Sequence, residues 1–170
     1  LWGGPYLREV HGLTTIQAGN VLLAGVVAYQ VGMLTFGPLD RVLDTRKWIA
    51  VAGTLAVAAL LAVLAGVARP PVWLAAGAII GIGFVSASST MIMAHGRAIF
   101  PDRLIGRGMS TMNTSVMLGV ACMQSLSGII LGGFVPLDDG SRPEAAYRTL
   151  FGIMVAVLLV AVAIYAQVAD

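Results

Sequence analysis

The chain has 170 residues, 58% hydrophobic and 11% charged, with a formal net charge of +2 and a mean hydropathy of +0.91. An ordinary soluble domain carries about 25% charged residues, so a water-soluble globule is excluded. The sequence pI of about 9.0 comes from nine arginines and one lysine confined to short segments, which argues for orienting loops and against a nucleic-acid partner.

Read in chain order, Leu1–Leu7 (LWGGPYL) resembles the end of a preceding helix more than a chain start. Five windows free of Asp, Glu, Lys, Arg and His follow: Gly12–Leu39, Trp48–Ala68, Pro70–Ala94, Gly108–Leu137 and Thr149–Ala169. The shortest has 21 residues, and together they make up roughly three quarters of the chain. A helix needs about 20 apolar residues to cross the hydrocarbon core of a bilayer. Barrel strands are about 10 residues long and alternate strictly in polarity, unlike these windows, and only helices or closed barrels satisfy their backbone in lipid.

The sequence therefore predicts an all-α integral membrane protein: one unit over residues 1–170, with spans at about 14–38, 48–68, 72–94, 110–135 and 148–168. Gly37-Pro38, Pro70-Pro71, Pro101, Gly106, Gly108, Pro136 and Gly140 to Pro143 punctuate the connections.

Basic residues set the orientation. The first and third connections carry Arg41, Arg46, Lys47, Arg97, Arg103 and Arg107, six in all, against four (Arg8, Arg69, Arg142 and Arg148) on the other side. The richer side is expected in the cytoplasm, which puts the N-terminus of this chain outside and Asp170 inside, in an inner or plasma membrane. A chain that starts outside must translocate its own N-terminus with no helix ahead of it. This expectation, with the LWGGPYL segment, favours a partial chain that lacks N-terminal helices.

The spans differ in polarity. The second is nearly pure Ala, Val and Leu with Thr54 as its only hydroxyl, and the fifth is similar until Tyr165 and Gln167. The first carries Gln17, Asn20, Gln30 and Thr35; the third Ser86, Ser88, Ser89 and Thr90; the fourth Asn113, Ser115, Gln124, Ser125 and Ser127. Polar groups avoid lipid, so spans one, three and four are expected to line something, with two and five outside them against lipid.

At 100° per residue, Asn113 and Gln124 differ by about 20° around the helix and by roughly 16 Å along it. Met117, Val120 and Ser127 share their stripe. Two readings stay open for these amides, interhelical hydrogen bonding and the lining of a substrate path. Gly77-x-x-x-Gly81 and Gly128-x-x-x-Gly132 mark close helix contact.

No enzyme constellation is present. Cys122 is the only cysteine, and His11 and His95 have no metal-ligand spacing to it or to an acid, so neither metal nor cofactor is expected. No carboxylate, Lys or Arg lies within a window, so a proton relay in these helices would have to use neutral groups.

The sharpest local signal is Gly37-Pro-Leu-Asp40-Arg41-Val-Leu-Asp44-Thr-Arg46-Lys47. It resembles the signature loop of the major facilitator superfamily: a Gly, then Asp-Arg, then a basic pair. The Gly usual between Asp-Arg and the basic pair is replaced by Leu43 and Asp44, and the spacing from Asp40 to Arg46 is about two residues longer than usual. These departures fit the degenerate copy of the signature in the family's C-terminal half.

Phe100-Pro-Asp-Arg103 to Gly106-Arg107-Gly108 looks like the family's connection between helices ten and eleven, and Gly4-Pro5-Tyr6-Leu7 like the exit from helix seven. The resemblance implies a partial C-terminal bundle, helices eight to twelve plus the end of seven. Its partners would be a small-molecule solute, the lipid bilayer and a missing N-terminal transporter half.

Under that reading Gly37, Asp40, Arg41, Arg46 and Lys47 form a charged cytoplasmic latch. Gln30, Ser86 and Gln124 line the cavity, with Asn113 nearer its cytoplasmic mouth. The rival readings are a non-transporting membrane interaction or assembly subunit, a remnant without activity and, last, a membrane enzyme. The loop charges alone also fit an ordinary orienting loop.

Overall fold

Thr14 starts the first long helix. Its hydroxyl accepts from the Gln17 amide at 3.2 Å while its own N–H donates to the Gln17 side chain at 3.0 Å, a reciprocal cap. The computed structural model describes residues 2–168, apart from the side chains of Asp40 and Arg41. Those two motif residues, and Asp170, lie outside the described residues.

The described chain is helical, with α1 (Gly3–Glu9), α2 (Thr15–Leu43), α3 (Lys47–Gly66), α4 (Val72–Ser86), α5 (Thr90–Ile99), α6 (Ile105–Gly132) and α7 (Glu144–Tyr165). A 3₁₀ turn at Ala87–Ser89 joins α4 to α5, and a second at Asp102–Leu104 leads into α6. Five helical stretches are long and apolar enough to cross a membrane: Thr15–Leu39, Lys47–Gly66, Val72–Ile99, Asp102–Gly132 and Glu144–Tyr165.

Helix ends depart from the sequence reading in three places. Helix α2 runs through Gly37-Pro38 and stops only at Asp44, which takes a left-handed φ of 50°. The third span continues past Ala94, so His95 sits inside a helix. Helix α6 begins at Ile105 and includes Gly106 and Gly108. Gly108 lies against the Phe100 ring, which a Cβ there would approach to 2.5 Å. It serves close packing and does not break the helix.

Glycines also set the main crossings. On α2, Gly25 and Gly32 share a face with Phe36, and that face meets α4. A Cβ on Gly83 would collide with the Gly25 carbonyl, and one on Gly32 with the Phe84 carbonyl. The Phe36 and Phe84 rings follow at 5.6 Å. On α3, Gly53 leaves room for Ser88 of the 3₁₀ turn. Small residues let apolar helices approach closely, the main source of packing energy in lipid.

Helix α3 touches α4, α5 and α7, and 33% of its span is buried, against 11% in α2 and α6. The second span is thus the best covered of the five, contrary to the expectation that it lies outside the polar ones. Hydropathy alone does not separate a residue facing lipid from one packed against a neighbouring helix.

Two cores result. The larger lies at the end where α1 packs, and joins Tyr6, Leu64, Leu131, Tyr147, Leu150 and Phe151. The smaller lies at the opposite end, beside the Gly37–Lys47 motif, and comprises Ile49, Ala50 and Met91, with Phe36, Leu39, Ile92 and Tyr165 packed on it. These are called the α1 end and the motif end below.

Candidate functional site

Most polar residues of the spans turn away from both cores, Ser88 and Ser127 excepted. Gln30 stands about 140° around α2 from Gly25, hence off the face that meets α4, and it is exposed. Ser86 closes α4 at the 3₁₀ turn and is half-buried. Asn113 and Gln124 are both exposed on α6, as are Met117 and Val120 between them and nearly every other residue of that helix from Thr111 to Leu126.

Helix α6 buries only Ser127 and Leu131, at its α1 end. Ser127 finishes the Asn113–Gln124 stripe, accepts a hydrogen bond from the Trp2 indole N–H at 2.7 Å and donates to the Gln124 carbonyl at 2.8 Å. The stripe therefore leads away from α1 along an open helix face. The four candidates Gln30, Ser86, Asn113 and Gln124 make no hydrogen bond to one another, and α2 and α6 do not touch. The arrangement is two separate walls, with α1 between them at one end. The 3₁₀ turn interrupts the third span at the serine cluster, where Ser88 is buried and the Thr90 hydroxyl donates to the Ala87 carbonyl at 2.8 Å.

At the motif end, Gly37 is on the exposed side of α2 and leaves Cβ-sized space around it. The basic pair reaches two other helices. Arg46 donates to the Ala94 carbonyl on α5 at 3.4 Å, and the buried Lys47 ammonium donates to the Val168 carbonyl, just past α7, at 2.5 Å. Thr45 caps the Trp48 amide at 3.3 Å. The His95 Nδ1 and the Tyr165 hydroxyl hydrogen-bond at 2.6 Å, linking α5 to α7. The sequence reading placed His95 outside the spans and found no role for it; only its fourfold spacing from Met91 hints at a packed helix face.

The α1 end is held by a denser network that sequence reasoning missed entirely. Glu9 accepts from the Arg142 amide at 2.9 Å and from the Tyr147 hydroxyl at 2.8 Å. Arg148 donates to the Ala65 carbonyl at 2.7 Å and to the Gly66 carbonyl at 3.1 Å, capping α3. Glu144 accepts from the Arg69 amide at 2.5 Å.

The Tyr6 ring meets His11, Tyr147 and Phe151 edge-on, with centroids 5.1, 5.5 and 5.2 Å away. Burial pushes the Tyr6 hydroxyl up to about 12, with nearby Glu144 adding to the shift and Arg148 opposing it. Burial likewise lowers the His11 imidazole, against an opposing pull from Glu144. No group of three or more His, Cys, Asp and Glu residues that could hold a metal occurs among the described residues.

Long apolar helices with exposed side chains such as Leu34, Ile129 and Val160 define an integral membrane protein, because contiguous apolar surface of this extent is not stable in water. The sequence matches the family model of the Major Facilitator Superfamily over residues 3–169, and the chain belongs to that superfamily of membrane transporters. No curated protein and no solved structure matches it.

Proposed function

We propose that the chain is the C-terminal part of a secondary active transporter, helices eight to twelve with the end of helix seven. It moves a small solute by alternating access, rocking against an N-terminal half around a site near the bilayer midplane. On this reading it acts together with an N-terminal transporter half and not as an enzyme. The motif end faces the cytoplasm and the α1 end the outside of an inner or plasma membrane, as the excess of basic residues at the motif end supports.

The observation that carries this reading is the exposed stripe from Asn113 to Gln124 on α6. Polar groups on lipid-facing surface are unfavourable, so the stripe turns from lipid towards the proposed cavity or the helices that enclose it. Gln30, Ser86 and Gln124 supply neutral hydrogen bonds to the solute, and Asn113 stands nearer the cytoplasmic mouth. Gly37, Asp40, Arg41, Arg46 and Lys47 act as the latch. Arg46 and Lys47 support that role by reaching the Ala94 carbonyl within α5 and the Val168 carbonyl just past α7, which ties the loop to neighbouring helices of the same half.

The test is solute uptake by the transporter carrying Gln124→Ala. Loss of one neutral hydrogen bond is worth about 0.5–1.5 kcal/mol, so KM is expected to rise roughly threefold to tenfold at unchanged expression. Unchanged kinetics contradict a substrate role for Gln124.

A further inference from the structure

Helices α3, α5 and α7 diverge at the motif end and leave a groove of about 560 Å³ between them. Its walls are Val51, Ile92, Leu158, Ala161, Val162 and the Tyr165 ring. The groove is within the roughly 300–1,000 Å³ range of small-molecule sites, and its lining is mainly apolar, with Thr54, Ser89 and Tyr165 as its hydroxyl groups. The Thr54 hydroxyl in its wall is already spent on the Ala50 carbonyl at 2.8 Å, and the Tyr165 hydroxyl on His95.

From Leu158 to Tyr165 the groove follows α7 for about 10 Å, within the ~15 Å depth of one leaflet of a ~30 Å hydrocarbon core. Lys47, buried and not itself part of the lining, lies just behind the motif end of the groove. Val51 lies one turn below Lys47 on the same face of α3, and Val168, whose carbonyl takes the Lys47 ammonium, lines the groove. That bond uses one of the three ammonium donors. In the sequence this end carries six basic residues (Arg41, Arg46, Lys47, Arg97, Arg103 and Arg107) against four acidic ones (Asp40, Asp44, Asp102 and Asp170).

We propose that this groove is a binding site for an anionic phospholipid: one acyl chain fills the apolar slot and the headgroup phosphate meets Lys47 at its mouth. The length and the apolar walls suit an acyl chain, and the basic residues at the motif end suit an anionic headgroup. Basic pockets between membrane helices are a recurring answer to anionic headgroups. The bound chain ties α7 to α3 and α5 where the protein's own core is thin. The proposal requires only that the chain is embedded in a bilayer, and it stands or falls independently of which solute is moved.

The test uses nanodiscs with equal phosphatidylglycerol and phosphatidylcholine, from which the protein is released and its retained lipids weighed by native mass spectrometry. Wild type should retain phosphatidylglycerol over phosphatidylcholine by about fivefold, the factor one lysine contributes near anionic lipid. Lys47→Gln should keep a lipid but lose the preference, while Ala161→Phe, which fills the slot, should lose the retained lipid of either headgroup. Wild-type lipid in the nanodisc ratio overturns the proposal without recourse to any variant. Undiminished phosphatidylglycerol preference in Lys47→Gln, or wild-type retention in a folded Ala161→Phe protein, also overturns it.

Discussion

The two ends of the bundle are held together by different means. At the α1 end, Tyr6, Tyr147 and Phe151 interlock edge-on over a core drawn from α1, α3, α4, α6 and α7, and Glu9 and Arg148 bond across helices above it. At the motif end, only Ile49, Ala50 and Met91 are buried together, and the helices are joined by Arg46, Lys47 and the His95–Tyr165 pair. A few side-chain bonds to carbonyl oxygens break one at a time, whereas an interdigitated aromatic core yields as a unit. The contrast places a large interlocked core at the α1 end and a thinner junction, held bond by bond, at the motif end.

The largest expected effect tests the contrast in packing. Phe151→Ala should cost about 3–5 kcal/mol, and Met91→Ala, in the thinner core, about 2 kcal/mol, the lower end for such truncations. Reversible unfolding in detergent measures both, and equal losses would erase the distinction between the ends. Next comes the polar network. Glu9→Ala strips the acceptor from the Tyr147 hydroxyl and the Arg142 amide, and a bond to a charged group is worth about 1.5–3 kcal/mol. A thermal midpoint unchanged by that substitution would show the α1 end to rest on its rings alone.

The smallest effect is a pH dependence. Burial holds the His11 pKa below its ordinary 6.5, so on acidification the unfolded chain takes up the proton first. Stability should fall as pH drops through 6.5 towards the folded value, and be restored above it. Thermal midpoints between pH 5 and 8 should show a slight slope that His11→Gln flattens; a slope of opposite sign would place the imidazole among partners that favour its charge.

Much of the fold was legible in the sequence, because charge is expensive in lipid and its absence marks each span directly. The helix ends were less so. Gly37-Pro38, Gly106 and Gly108 read as breakers, yet α2 and α6 run through them; Pro38 sits inside α2 without the N–H that would bond the Leu34 carbonyl, and Gly108 gains packing beneath Phe100. The stripe from Asn113 to Gln124 followed from helical periodicity alone, while its exposure depends on where the other helices lie. The α1-end network was out of reach for a different reason: Glu9 and Tyr147 are 138 positions apart, and nothing local in either neighbourhood signals the other. Asp40 and Arg41, the most family-like residues of the motif, have side chains outside the described residues.

The central claim is that the α6 stripe meets water while the opposite face meets lipid, and the chain carries its own control. Cys122 is free and exposed, and it stands about 200° around the helix from Gln124. Membrane vesicles bearing either the native Cys122 or a Gln124→Cys, Cys122→Ser variant can be treated with a charged, membrane-impermeant thiol reagent. The account predicts rapid labelling of the cysteine at 124 and none of Cys122; protection of both, or equal labelling of both, would contradict it.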